Sequence, residues 1–115
     1  MTHRLFVYGT LAPGRPNEHI LAPIPGEWEP ATVRGRLYPE GWGAAAGYPG
    51  IVLEPEGEEV SGLRFASESL PQHWGRLDEF EGPGYERVLT SARRQDGTIV
   101  DAYVYQLSSA PIDGD

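Results

Sequence analysis

One stretch of this chain, Ser69 to Glu81, combines an N-cap, an apolar stripe and a stop signal at the spacing of a full helix. Ser69 is a candidate cap, Gln72 three residues on would complete a capping box, and Pro71 is tolerated in the first turn. Gly82 and Pro83 stop the helix. At about 100° per residue Glu81 falls roughly 20° from both Leu70 and Trp74, so the helix carries a carboxylate on the stripe that should face the core. A carboxylate buried there resists ionising and gains the raised pKa that proton transfer needs. The same residues also allow the helix to end before 81 and leave Glu81 as a solvated cap, and the helix alone does not separate these readings.

Everything outside that stretch is short and frequently broken. Fifteen Gly and eleven Pro among 115 residues imply many turns and short elements rather than a helical bundle. Arg4 to Tyr8 reads as a strand buried on both faces and ended by Gly9. Asn17 could cap a helical turn reaching Leu21. Thr32 to Tyr38 alternates Val33, Gly35 and Leu37 against Thr32, Arg34 and Arg36, as a half-buried strand does. Gly41 to Gly50 reads as a loop. Ile51 to Leu53 and Val60 to Phe65 are expected to form an antiparallel hairpin across Glu54 to Gly57. Tyr85 to Ala92 and Ile99 to Leu107 flank Gln95-Asp96-Gly97, and Asp-Gly suggests a tight type I′ turn. In the last strand Asp101, Tyr103 and Tyr105 share one face, which is expected to look into a pocket. Residues 1–107 thus read as a single domain and 108–115 as a disordered tail. The order of elements is not that of a doubly wound sheet, and an α+β fold with a strongly curved or barrel-like sheet of about six strands is the economical architecture. It would carry one main helix and one short helix.

Charge and residue type remove several kinds of function. Seventeen acidic against nine basic side chains give a net charge of −8, which repels phosphate backbones and anionic lipid, so neither nucleic acid nor membrane is an expected partner. The apolar runs are too short for a signal peptide or a membrane span, and a cytoplasmic location is expected. There is no cysteine, which removes disulfides, thiolate ligands and a thiol nucleophile. His3, His19 and His73 lack metal-ligand spacing, so no metal is expected. No Gly-x-Ser-x-Gly turn exists and no serine sits beside a histidine. A two-carboxylate glycosidase ranks low, because so short a chain makes a shallow sugar cleft.

Two places remain for chemistry. The turn Tyr8-Gly9-Thr10-Leu11 could present successive N–H groups as a nest for an anion, although many such turns bind nothing. It lacks the Lys and further glycines of a phosphate loop. In the carboxylate cluster, Glu79 should be solvated, Asp78 is as suited to pairing with Arg76 or Arg87 as to chemistry, and Glu81 alone combines an inward direction with a position beside a Gly-Pro-Gly turn. Arg15, Arg34 and Arg36 are assigned no role.

Four separated segments then share one resemblance: Phe6-Val7-Tyr8-Gly9-Thr10-Leu11, Tyr48-Pro49-Gly50-Ile51-Val52, Leu77 to Gly82 followed by Tyr85-Glu86-Arg87, and Ala102-Tyr103-Val104-Tyr105. Together they resemble the γ-glutamylcyclotransferase-like family, especially its γ-glutamylamine cyclotransferase branch, over nearly the whole chain. The resemblance implies a small mixed β-barrel, substrate binding by Tyr8, Gly9, Thr10 and Leu11, and Glu81 as the essential acid/base. It implies cleavage of a γ-glutamyl compound by attack of its own α-amine, releasing 5-oxoproline without a cofactor. The partner would be a small γ-glutamyl molecule, with the leaving amine and the oligomeric state left open. The alternative is a non-catalytic small-molecule-binding domain of the same fold.

Overall fold

The computed structural model describes residues 3–9, 14–15, 18–39 and 50–108. Among the described residues, strands β1 (His3–Val7), β2 (Glu27–Tyr38), β3 (Gly50–Leu53), β4 (Glu58–Ser67), β5 (Tyr85–Arg94) and β6 (Ile99–Leu107) are joined by one α-helix, α1 (Trp74–Glu81), and two 3-10 turns, Glu18–Ile20 and Leu70–Gln72. β1, β4, β2, β3 and β6 close on themselves, since β1 also pairs with β6, and β5 extends along β6 to touch β2. The pairings of β1 and β3 with β6 are parallel and the rest are antiparallel. The result is the small mixed α+β barrel expected from the sequence.

β1 explains why the barrel has two apolar compartments. Leu5, Phe6 and Val7 are all buried. Alternation sends Phe6 inward to Ala31, Val33, Ile51, Ala92, Ala102 and Val104. It sends Leu5 and Val7 outward to Phe65, Leu70, Leu77 and Tyr105, beneath the helical segments. The second compartment fixes α1 against the barrel wall, because Leu77 is fully buried there.

The helix is shorter than the sequence suggests. Leu70–Gln72 is a 3-10 turn closed by His73 N–H to the Leu70 carbonyl, and α1 begins only at Trp74. Ser69 is already in the right-handed helical region and makes no side-chain cap, so the expected capping box does not form. Its N–H instead donates to Ser67 Oγ. The stop is where it was expected: Gly82 has φ 76° and donates its N–H to the Asp78 carbonyl.

Two strand expectations are corrected. β3 and β4 do not form a hairpin, because both pair with β2 on opposite edges and β2 is far longer than Thr32 to Tyr38. The connecting turn passes over β2 at Gly35, where a Cβ on Gly57 would lie 2.9 Å from the Gly35 carbonyl oxygen, and a Cβ on Gly35 would itself lie 2.5 Å from the Val52 carbonyl oxygen of β3. In β2, Val33 and Gly35 are buried as expected, but Leu37 is exposed. The β5–β6 connection is not type I′. Gly97 alone has positive φ, Gly97 N–H donates to the Arg94 carbonyl and Arg94 N–H to the Thr98 carbonyl. That is the pattern of a three-residue hairpin loop with a glycine bulge, which needs only one left-handed residue. Ser108 is anchored to the Pro83 and Gly84 carbonyls. Asn17, positions 41–49 of the expected Gly41 to Gly50 loop and tail residues 109–115 lie outside the described residues, and Gly50 is the first residue of β3.

Candidate active site

At one end of the barrel β1 finishes beside the C-terminal ends of α1 and β6. Glu81 occupies the last position of α1 and is half-buried. Burial pushes its carboxyl up to about 7. Glu79, two residues earlier, is exposed, as its direction on the helix predicts. The sequence therefore placed the inward carboxylate correctly, although the relation to Leu70 does not run through one continuous helix.

Tyr8 stands at the exit of β1. Its hydroxyl donates to the Tyr105 carbonyl at 2.6 Å and accepts the Ile51 N–H at 3.2 Å. The phenol proton is therefore committed to joining β1, β6 and β3. Burial holds this phenol far above its ordinary pKa, with the nearby charge of Glu81 a smaller contribution in the same direction. Tyr8 can offer a ligand its ring and backbone, not its proton. Gly9 follows it, half-buried. Thr10 and Leu11, the other two residues expected to bind substrate, lie outside the described residues.

Tyr105 was not singled out individually in the sequence, although the face it shares with Tyr103 was expected to look into a pocket. Its hydroxyl donates to Asp78 Oδ1 at 2.7 Å. Burial keeps its pKa high, helped by that bond and, more weakly, by Glu81. Glu81 thus shares its surroundings with two neutral phenols. Asp78 behaves differently: hydrogen bonds from Arg87, and then from Tyr105, hold it below the usual carboxylate range. Of the two arginine partners considered for Asp78, Arg87 is the one used, and Arg76 contacts the Ile20 carbonyl and His73 Nδ1. Two side chains one helical turn apart therefore have opposite tendencies, Asp78 ionised and paired, Glu81 poised to gain or lose a proton near neutrality.

Other charged clusters are closed on themselves. Glu29 joins Arg64 at 2.6 Å and Arg94 at 3.1 Å at the far end of the barrel. A recess of about 480 Å³ between β2 and β5 contains Arg93 and Glu59, which pair at 3.5 Å. Arg34 reaches the Gly57 carbonyl. No group of three or more potential metal ligands occurs among the described residues.

The family model for γ-glutamyl cyclotransferase, AIG2-like proteins matches residues 5–115. The chain belongs to the γ-glutamyl cyclotransferase, AIG2-like family. Among solved structures, YkqA from Bacillus subtilis is 30% identical with a TM-score of 0.71, over 97% of this chain and 38% of YkqA. An Arabidopsis thaliana protein is 27% identical with a TM-score of 0.70, over 93% of this chain and 62% of that protein. This member of the family thus spans less than two thirds of either relative. A Mus musculus AIG2-like protein, 22% identical over 96% of this chain and 80% of its own, shares the fold with a TM-score of 0.70. No curated protein matches the chain. Among the described residues no helix is long and apolar enough to cross a membrane.

Proposed function

We propose that this protein is a γ-glutamyl cyclotransferase in which Glu81 is the general acid/base. The observation that carries the reading is the half-buried carboxylate of Glu81, raised to about 7 by burial, at the barrel end where β1 finishes. In a γ-glutamyl substrate the α-ammonium must lose a proton before its nitrogen can attack. Glu81 takes that proton, and the amine nitrogen adds to the γ-carbonyl carbon to close a five-membered lactam. The bond from that carbon to the leaving nitrogen breaks, Glu81 returns the first proton to the departing amine, and the second proton shed by the ring nitrogen ends on that amine, which leaves as an ammonium. The products are 5-oxoproline and a free amine or amino acid.

A base with a pKa near the working pH suits both halves of this cycle. Ring closure is intramolecular, so holding the chain folded supplies much of the rate. Backbone N–H groups of Tyr8, Gly9, Thr10 and Leu11 would hold the substrate carboxylate or the developing oxyanion, at a few kcal/mol for each well-placed donor. The neutral phenols of Tyr8 and Tyr105 keep the site free of a second charge that would lock Glu81 in one protonation state. No step requires a metal or a nucleotide.

The test is release of 5-oxoproline from γ-glutamyl amines, γ-glutamyl amino acids and glutathione, followed by mass spectrometry. Glu81→Gln should retain the fold and lose about 10²- to 10⁴-fold in turnover, the usual contribution of a positioned acid/base. Retention of turnover by that variant would refute the assignment. A substrate bound but returned unchanged by the unmodified protein would favour a binding domain instead.

A further inference from the structure

An eight-residue helix frays at its ends, yet Glu81 occupies the last position of α1 and remains half-buried. The bonds that hold it begin one turn earlier. Asp78 Oδ1 accepts the Tyr105 hydroxyl at 2.7 Å and Arg87 Nε at 2.9 Å, and Oδ2 accepts Arg87 Nη2 at 3.3 Å. Tyr105 belongs to β6 and Arg87 to β5, so one carboxylate ties the helix to both strands of the hairpin. The Arg87 guanidinium is itself fixed, 4.4 Å from the centre of the Trp74 ring and 5.0 Å from that of Tyr103.

The same run of bonds continues through the barrel. The Tyr105 carbonyl accepts the Tyr8 hydroxyl, which accepts the Ile51 N–H. The Asp78 carbonyl accepts the Gly82 N–H that ends the helix. Asp78 thus hydrogen-bonds α1 to both strands of the hairpin, beside the ring contacts of Trp74 with Arg87 and Tyr103 and the apolar packing of Leu77.

We propose that Asp78 and Tyr105 are positioning residues for Glu81, a strap that pins the last turn of α1 to the hairpin and keeps water from its carboxylate. This rests on the reading of Glu81 as the acid/base. The titratable and charged groups around the strap and Glu81 are Asp78 on its own helix, Tyr8 at the exit of β1, Tyr85 and Arg87 from β5, and Tyr103 and Tyr105 from β6. Arg87 is paired with Asp78, and burial keeps the phenols of Tyr8 and Tyr105 neutral. Loosening the strap therefore acts on Glu81 mainly by admitting water, which lowers its pKa. Fold strength alone would not do this.

The test is a carbon-13 NMR titration of Glu81 in ligand-free protein, with the pH profile of 5-oxoproline release beside it. Tyr105→Phe, which removes one hydroxyl, should lower the Glu81 pKa by at least one pH unit and carry the acid limb of the profile with it. Val33→Ala in the inner core should lower Tm and leave the titration unchanged. If Tyr105→Phe does not fold, Asp78→Asn gives the same readout, because weaker Arg87 bonds and an uncompensated guanidinium both push the Glu81 pKa down. An unshifted Glu81 titration in either folded variant would overturn the proposal and leave Asp78 and Tyr105 as fold supports. A shifted titration in a protein that releases no 5-oxoproline would retain the strap and refute the cyclotransferase reading, so the two fail separately.

Discussion

At the scale of the residue, Glu81 is governed by desolvation, which disfavours its ionised form. Such a group must be ionised to accept the substrate's proton. The rate is therefore expected to rise with pH through an acid limb near pH 7, and kcat/KM against pH for the free protein measures it. A limb near 4.5 would mean that the carboxylate is solvated in solution. Asp78 offers the internal contrast. The two acids differ because Asp78 receives hydrogen bonds from a guanidinium and a phenol whereas burial governs Glu81, a difference in neighbours that no spacing rule in α1 contains.

At the scale of the element, the end of α1 depends on Gly82. Its φ of 76° and ψ of −173° lie in a region open essentially to glycine, and no atom lies within 4 Å of where a Cβ would be. Gly82→Ala should cost about 1–3 kcal/mol through the backbone alone, read from denaturant midpoints. It should also lower the Glu81 pKa if the helix end moves outward. Gly35 fails for a different reason: a Cβ there meets a backbone oxygen that cannot step aside. Gly35→Ala should destabilise by about 1–3 kcal/mol through overpacking against the neighbouring strand β3, checked by the same measurement. The two glycines look alike in the sequence, and only the structure separates a conformational need from a steric one.

At the scale of the whole molecule, Glu81 makes stability depend on pH. Folded, it keeps its proton to about pH 7; unfolded, it loses it near the ordinary 4.5. Between these values the folded chain binds more protons, so its stability falls as pH rises through the window. The loss from this group approaches about 3 kcal/mol by pH 8. Glu81→Gln should remove that penalty, leaving the variant more stable than the parent at pH 8 and similar to it at pH 4 in thermal melts. Equal stability at pH 8 would show that the folded protein hydrates this carboxylate freely.

Local pattern was enough for much of this protein. The buried first strand, the inward face of Glu81 beside Trp74, the stop at Gly82 and the final hairpin all follow from periodicity and turn chemistry, which act over a few residues. The family resemblance rests on segments spread along the chain. Tertiary structure decided what involves distant partners: β2 lying between β3 and β4, the 3-10 turn that replaces the capping box, and the Tyr105 phenol meeting Asp78 across 27 positions. Sequence pattern fixes which way a side chain points from its own backbone. What it meets there is set by closure of the barrel, which brings β6, α1 and the end of β1 together only after every strand has found its neighbour.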